Sequence, residues 1–270
     1  MADNHLPTIK HLYQNRAMDA LRWNYFTPRA DDIVVATTYK AGTTWAQTIV
    51  ANLLFSGSLP GSIADLSPWI DFRIFPLEQV LSILDRQTHR RAVKTHLPLD
   101  GLLFHENIKY VCVGRDSRDI FMSYWNFYGN FSPQLISLAN LIPGRVGEEL
   151  QRCPDDVHEL WRGWMTRACF PWEHDGYPGG SVLHHAQTWW DYGHLPNILP
   201  VHFADLLVAG AGFVTFGRAG FVKVATNFLI RARGTQARRK LAPRRGSLRW
   251  TPPCDGSSRP TGPSFARRAV

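Results

Sequence analysis

The nine residues Thr37-Thr38-Tyr39-Lys40-Ala41-Gly42-Thr43-Thr44-Trp45 gather the groups that would hold a phosphate. A small-residue turn between a strand and a helix exposes backbone N–H groups at the positive end of the helix dipole, a ready site for an anion. Lys40 adds a point charge, Thr43 and Thr44 add hydroxyl donors on the first helical turn, and Trp45 offers a face for an adenine. Lys40 precedes Gly42 instead of following it, so the GxxxxGK[ST] loop of the nucleoside triphosphatases is absent. That argues against a magnesium-dependent kinase. A Gly-Thr-Thr turn could equally do no more than cap a helix, and the loop alone leaves both readings open. Two other stretches carry chemistry: Lys94-Thr95-His96-Leu97-Pro98, and Arg115 with Ser123 eight residues later. Taken singly, a His in a chain of 11, or an Arg at a strand end, reads as structure.

These groups sit at the ends of short apolar runs. Asp32-Ile33-Val34-Val35-Ala36-Thr37 reads as a buried parallel strand, followed by a helix over 43–55 with Trp45, Ile49 and Leu53 at helical spacing. Further strands are expected at 91–95, at 110–113 and at 198–203, where Pro200 suits an edge or a strand start. Asp116 or Ser117 is the expected cap of a helix running to Tyr128. Strands alternating with helices predict an α/β fold, a central parallel sheet with helices on both faces. Residues 129–181, rich in Trp, Pro and Gly, read as an insertion of loops and short helices covering the carboxyl ends of the strands. No internal repeat is apparent.

In combination these stretches resemble the cytosolic-type sulfotransferases, which use 3'-phosphoadenosine-5'-phosphosulfate (PAPS). The first is similar to their 5'-phosphosulfate loop T-Y-P-K-[SA]-G-T-T-W, with Thr38 at the Tyr, Tyr39 at the Pro, and Lys40 to Trp45 matching throughout. Loss of the Pro is expected to loosen the loop slightly. Arg115-Asp116-Ser117-Arg118-Asp119 with Ser123 resembles R-[ND]-P-[KR]-D and its helix Ser, and Lys94 to Pro98 resembles K-T-H-x-P. Weaker likenesses follow in Gly180-Ser181 to Trp189-Trp190 and in Pro196-Asn197-Ile198-Leu199 to Leu206, where Phe203 stands at a Tyr near the adenine and Ala204 at a Glu.

The resemblance implies a P-loop-like fold and sulfuryl transfer from PAPS, released as PAP, to a hydroxyl or amine of a small apolar alcohol, phenol or lipid. It makes His96 the base, Lys40 and Lys94 the cations at the transferring group, and Arg115 and Ser123 the holders of the 3'-phosphate. Lys40, Ala41, Gly42, Thr43, Thr44, Trp45 and Phe203 complete the cofactor-binding set. No metal is needed. Trp69, Phe72, Phe75, Trp125 and Phe127 are candidates for the acceptor pocket, and a homo-oligomer is compatible with the family. The alternative is a degenerate relic that binds PAP without transfer.

The likeness stops at about residue 206. The family's later R-K-G-x-x-G-x-W-[KR] segment has no counterpart. Residues 207–270 instead hold 13 Lys/Arg and one acid, Asp255, so the net charge of +8 belongs to this tail; the first 206 residues carry 17 basic and 21 acidic side chains. An Arg/Pro/Gly-rich tail of this kind is expected to be poorly ordered, or the product of a reading-frame shift near codon 207. A nucleic-acid or membrane-binding tail is disfavoured, because aromatic interleaving and helical amphipathicity are missing. At 44% hydrophobic and 12% aromatic residues the chain reads as globular, and ten Trp fit either a core or an aromatic-lined pocket. The N-terminus lacks the layout of a signal peptide, and the apolar stretch 209–230 is broken by Arg218 and Lys223. Four Cys without metal-ligand spacing, Cys112 read as a reduced core thiol, add up to an expected cytoplasmic location.

Overall fold

The computed structural model describes residues 5–206 other than Arg145, all within the first of the chain's two units, Met1–Ala232 and Arg233–Val270. The readings attached to the basic tail and to Cys254 lie outside the described residues.

After a 3-10 turn at Ala20–Tyr25, the elements run β1 (Ile33–Thr37), α1 (Thr43–Phe55), α2 (Ile63–Leu66), α3 (Leu77–Arg86) and β2 (Ala92–Thr95). A second 3-10 turn at Leu99–Gly101 leads to β3 (Lys109–Gly114), α4 (Ser117–Gly129), α5 (Pro133–Asn140), α6 (Val157–Thr166), α7 (Val182–Trp190) and β4 (Ile198–His202). The four strands are all parallel, in the order β2-β1-β3-β4. Pro200 lies on the edge strand β4, where a missing N–H costs no ladder bond to a further strand.

Every residue of β1 is buried, because both faces of the sheet are covered. Val34, Ala36, Val93, Tyr110, Cys112 and Ile198 face one way, against Trp23, Ile70 and Trp189 of α7. Ile33, Val35, Ala92, Val111, Val113 and Val201 face the other, against Ala46 and Val50 of α1. This period-2 alternation in strands without polar faces is what a two-sided parallel sheet demands. Just before β1 and β2, Asp32 and Arg91 form a bidentate pair, both almost wholly buried, with Arg91 Nε donating at 3.0 Å. The pair anchors the amino ends of the two strands in register.

Register also fixes the carboxyl ends. Ala36 pairs with Thr95 and Thr37 with Val113, so the loop after β1, His96 after β2 and Arg115 after β3 emerge side by side. The chain crosses from one side of β1 to the other between β2 and β3, and a crevice opens at such a switch point. Asp116 caps α4, its carboxylate accepting from the Arg118 N–H at 2.9 Å. The last expected strand ends one residue early: Phe203 begins a helical stretch at 203–206, which turns its ring back toward the crevice.

Candidate active site

A cavity of about 670 Å³ opens over the carboxyl ends of β1, β2 and β3. Lys40, Gly42, Thr43, Thr44, Trp45, Lys94, His96, Arg115, Ser123 and Phe203 all line it. Ala41 does not: its side chain is fully buried with Ile120 and Phe121 of α4. Of the expected acceptor-pocket residues, Trp69, Phe72 and Phe127 line the cavity. Phe75 is half exposed against Phe72 and lies outside the lining, and Trp125 packs into the α4–α6 cluster instead.

The phosphate loop owes its shape to two left-handed residues, Lys40 (φ 64°) and Gly42 (φ 100°). Gly42 is the N-cap of α1 and offers no side-chain acceptor, so the first-turn N–H groups are not satisfied by a capping side chain. A Cβ on Gly42 would lie 2.2 Å from the Phe203 ring. That ring also carries the Arg115 guanidinium at 4.4 Å. Arg115 in turn donates to the Lys40 carbonyl at 3.1 Å, tying the end of β3 to the loop. Its Nε has no hydrogen-bond partner among the described residues, the nearest carboxylate being Asp119 at 3.7 Å.

Four cations, Arg16, Lys40, Lys94 and Arg115, line the cavity, and none of its described lining residues is Asp or Glu. Lys40 lies over the Phe127 ring at 4.4 Å and Lys94 over Trp69 at 4.1 Å. Burial, then the Arg115 charge, lowers the Lys40 ammonium. Burial pulls Lys94 down to about 8, against the attraction of Asp71 and with the repulsion of Lys40. Four cations in one cavity whose described lining holds no acid favour an anionic occupant.

His96 is buried between the Tyr39 ring at 4.4 Å and the Trp69 ring at 4.6 Å. Its Nδ1 is 2.6 Å from the Thr37 carbonyl oxygen, which can only accept, so Nδ1 carries the proton and the lone pair is on Nε2. Burial, reinforced by Lys94, holds the imidazole neutral, well below its usual pKa. Asp71 fixes the surroundings: its carboxylate accepts from Trp23 Nε1 at 3.1 Å, Trp69 Nε1 at 2.7 Å and the His96 N–H at 3.4 Å. Sequence reasoning missed Asp71, whose only signal was an acid inside the aromatic run Trp69-Ile70-Asp71-Phe72. It also missed Arg16, which nothing in the local pattern marks. The insertion covers the crevice as expected, supplying Phe131, Leu135, Ala139 and Ile142 as an apolar wall. Among the described residues no cluster of His, Cys, Asp and Glu could hold a metal ion.

Comparisons with known proteins agree with this geometry. Residues 30–208 match the family described as "Sulfotransferase domain". A glycolipid sulfotransferase of Mycobacterium tuberculosis is 34% identical over 227 residues, covering 78% of this chain and 69% of the relative. Human Sulfotransferase 1E1 is 27% identical over 188 residues, 67% of this chain and 55% of that protein. The fold is shared with retinol dehydratase in complex with androsterone and PAP (TM-score 0.55, 20% identity, 77% of this chain and 62% of that one). Mouse sulfotransferase SULT7A1 complexed with PAP is similar too (TM-score 0.52, 18% identity, 78% and 62%). This chain thus spans a little over three fifths of those two solved structures, and it belongs to the sulfotransferase domain family.

Proposed function

We propose that this chain transfers a sulfuryl group from PAPS to a hydroxyl on an apolar acceptor. The observation that carries the reading is the cavity itself: four converging cations, no acidic lining among the described residues, and a neutral imidazole with its lone pair on Nε2. The residues present fit PAPS. The uncapped start of α1 with Lys40, Thr43 and Thr44 suits the 5'-phosphosulfate, Arg115 with its unused Nε and Ser123 suit the 3'-phosphate, and Trp45 and Phe203 flank space for the adenine. PAPS supplies the sulfuryl group on a phosphosulfate anhydride.

This chain's own groups do the rest. Lys40 and Lys94 present fixed positive charge where negative charge develops, which costs no reorganisation at the moment of reaction. His96 Nε2 accepts the acceptor's proton while Nδ1 remains bonded to the Thr37 carbonyl, so the ring gains a proton without turning. Phe72, Ile74, Phe131, Leu135, Ile142 and Leu150 form an apolar lining that excludes water and suits a hydrocarbon body. The glycolipid activity named for a relative supports an alcohol carried on a lipid. No described helix is long and apolar enough to cross a membrane, and the free thiols Cys112, Cys153 and Cys169 fit a cytoplasmic site of action.

Isothermal titration with PAP, followed by transfer of radiolabelled sulfate from PAPS to a panel of long-chain alcohols, phenols and glycolipids, tests the reading. His96→Ala should lower transfer by about 10²–10⁴-fold while leaving PAP affinity within about threefold. Turnover retained in that variant would remove His96 as the base, and a chain that does not bind PAP would overturn the proposal. PAP binding without transfer to any acceptor would instead favour the non-catalytic relic, a reading supported by the end of the family match at residue 208.

A further inference from the structure

A second, much smaller space adjoins the first, with Tyr39, His96 and Gly179 lining both. Its volume is about 20 Å³, room for a single water molecule. Among the residues that line it, three polar atoms lack a hydrogen-bond partner among the described residues: Thr38 Oγ1, Glu173 Oε2 and His185 Nε2. Their residues are 8%, 5% and 2% exposed, so bulk water does not serve them. A buried polar atom left without a partner is costly, and three on residues lining one space call for an explanation.

We propose that this space binds one ordered water, and that Glu173 and His185 act through it as positioning residues for the phosphate loop and the reaction base. The water donates to Glu173 Oε2 and to His185 Nε2 and accepts from the Thr38 hydroxyl, three bonds in all, the usual number for a buried water. Burial holds His185 neutral, with its pKa at about 3, so one of its ring nitrogens carries no proton and can accept. Burial likewise pushes the Glu173 carboxyl up to about 7, against the Ser181 N–H and His184 and with the repulsion of Asp175 and Asp100.

The geometry gives the water a role. Thr38 directly precedes Tyr39, whose ring packs on His96, and Lys40, whose carbonyl receives Arg115. Glu173 comes from the insertion and His185 from α7, which Ser181 caps by accepting from the His184 N–H at 3.0 Å. One water thereby joins the loop after β1 to two elements more than 130 residues away in sequence.

This inference rests on the reading of Lys40 and His96 given above, and its test separates the two. A crystal structure of the full chain should show one water peak within hydrogen-bond distance of all three atoms. An empty space, or the three atoms bonded directly to one another, overturns the site. For the role, Glu173→Leu and Thr38→Val should each weaken PAP binding by about tenfold, and the double variant should lose no more than the weaker single, because both act through the same water. Glu173→Gln keeps an acceptor and should stay within about threefold of the unmodified chain. Additive losses, or a Gln variant as weak as the Leu variant, would reduce Glu173 to a packing residue. If the Leu variant does not fold, Glu173→Ala takes its place in the same cycle with Thr38→Val. Failure of the unmodified chain to bind PAP would sink the functional reading while leaving the water peak standing.

Discussion

Lys94 enters the cavity from a strand buried on both faces, and that placement makes its charge conditional. With the ammonium drawn down to about 8 by burial, the free chain at pH 7 holds it mostly protonated, and at pH 9 mostly neutral. An anion in the cavity selects the protonated form, so its binding takes up a proton once the pH passes 8. PAP affinity should be about tenfold weaker at pH 9 than at pH 7, since one pKa unit is worth a factor of ten. Lys94→Arg should flatten the profile, because a guanidinium does not titrate in this range. Isothermal titration at four pH values checks both; a flat profile for the unmodified chain would mean that Lys94 carries no part of the anion's charge. Tyr39 stands where the family has Pro; its ring lies 4.4 Å from His96 and forms one wall of the imidazole's slot.

Elements decide which of these residues meet. All four strands and the helices α1 and α4 were legible as runs of apolar residues bounded by turn signals, most clearly β1, which is buried throughout; polar residues such as Lys94 and His202 fall near the carboxyl ends of their strands. Arg115, His96 and Lys40 were legible as a site because each follows a strand directly, and parallel register does the rest. The contents of the insertion were read only as loops and short helices: α5 has no buried residue, and the stripe Val157, Leu160, Trp161 and Trp164 of α6 was in the sequence but went unread. Arg16 and Asp71 act by tertiary contact and left no periodic trace. The loop between β1 and α1 yields the sharpest prediction at this scale. Gly42→Ala puts a methyl into a left-handed residue and against the Phe203 ring. It should cost about 1 kcal/mol for the backbone and about 1–3 kcal/mol for overpacking, read in urea unfolding, and weaken PAP binding at least tenfold. Adding Phe203→Ala should return the overpacking part alone; no recovery would mean that the ring is not what fills the space.

Across the whole molecule, charge divides close to where the family match ends. The first 206 residues hold 17 basic and 21 acidic side chains, with four of the cations concentrated in one cavity, while the remainder holds 13 basic residues and one acid. Leu206, 2% exposed, packs with Val201 beneath α1, and the family match ends two residues later. We therefore propose residues 1–206 as the folding unit. On this proposal Arg115 and Ser123 would hold the 3'-phosphate without the closing segment that the family adds near its C-terminus. A chain ended after residue 208 keeps Leu206 in place. It should unfold within about 3 °C of the full chain, a shift that for a domain of this size corresponds to roughly 1 kcal/mol. Its PAP affinity should also stay within about threefold at 150 mM salt. The salt matters: a basic tail attracts a multiply charged nucleotide from a distance, and screening removes that attraction while leaving a built contact intact. A loss of tenfold or more at that ionic strength would show that the tail completes the 3'-phosphate site, and the boundary at 206 would then be wrong.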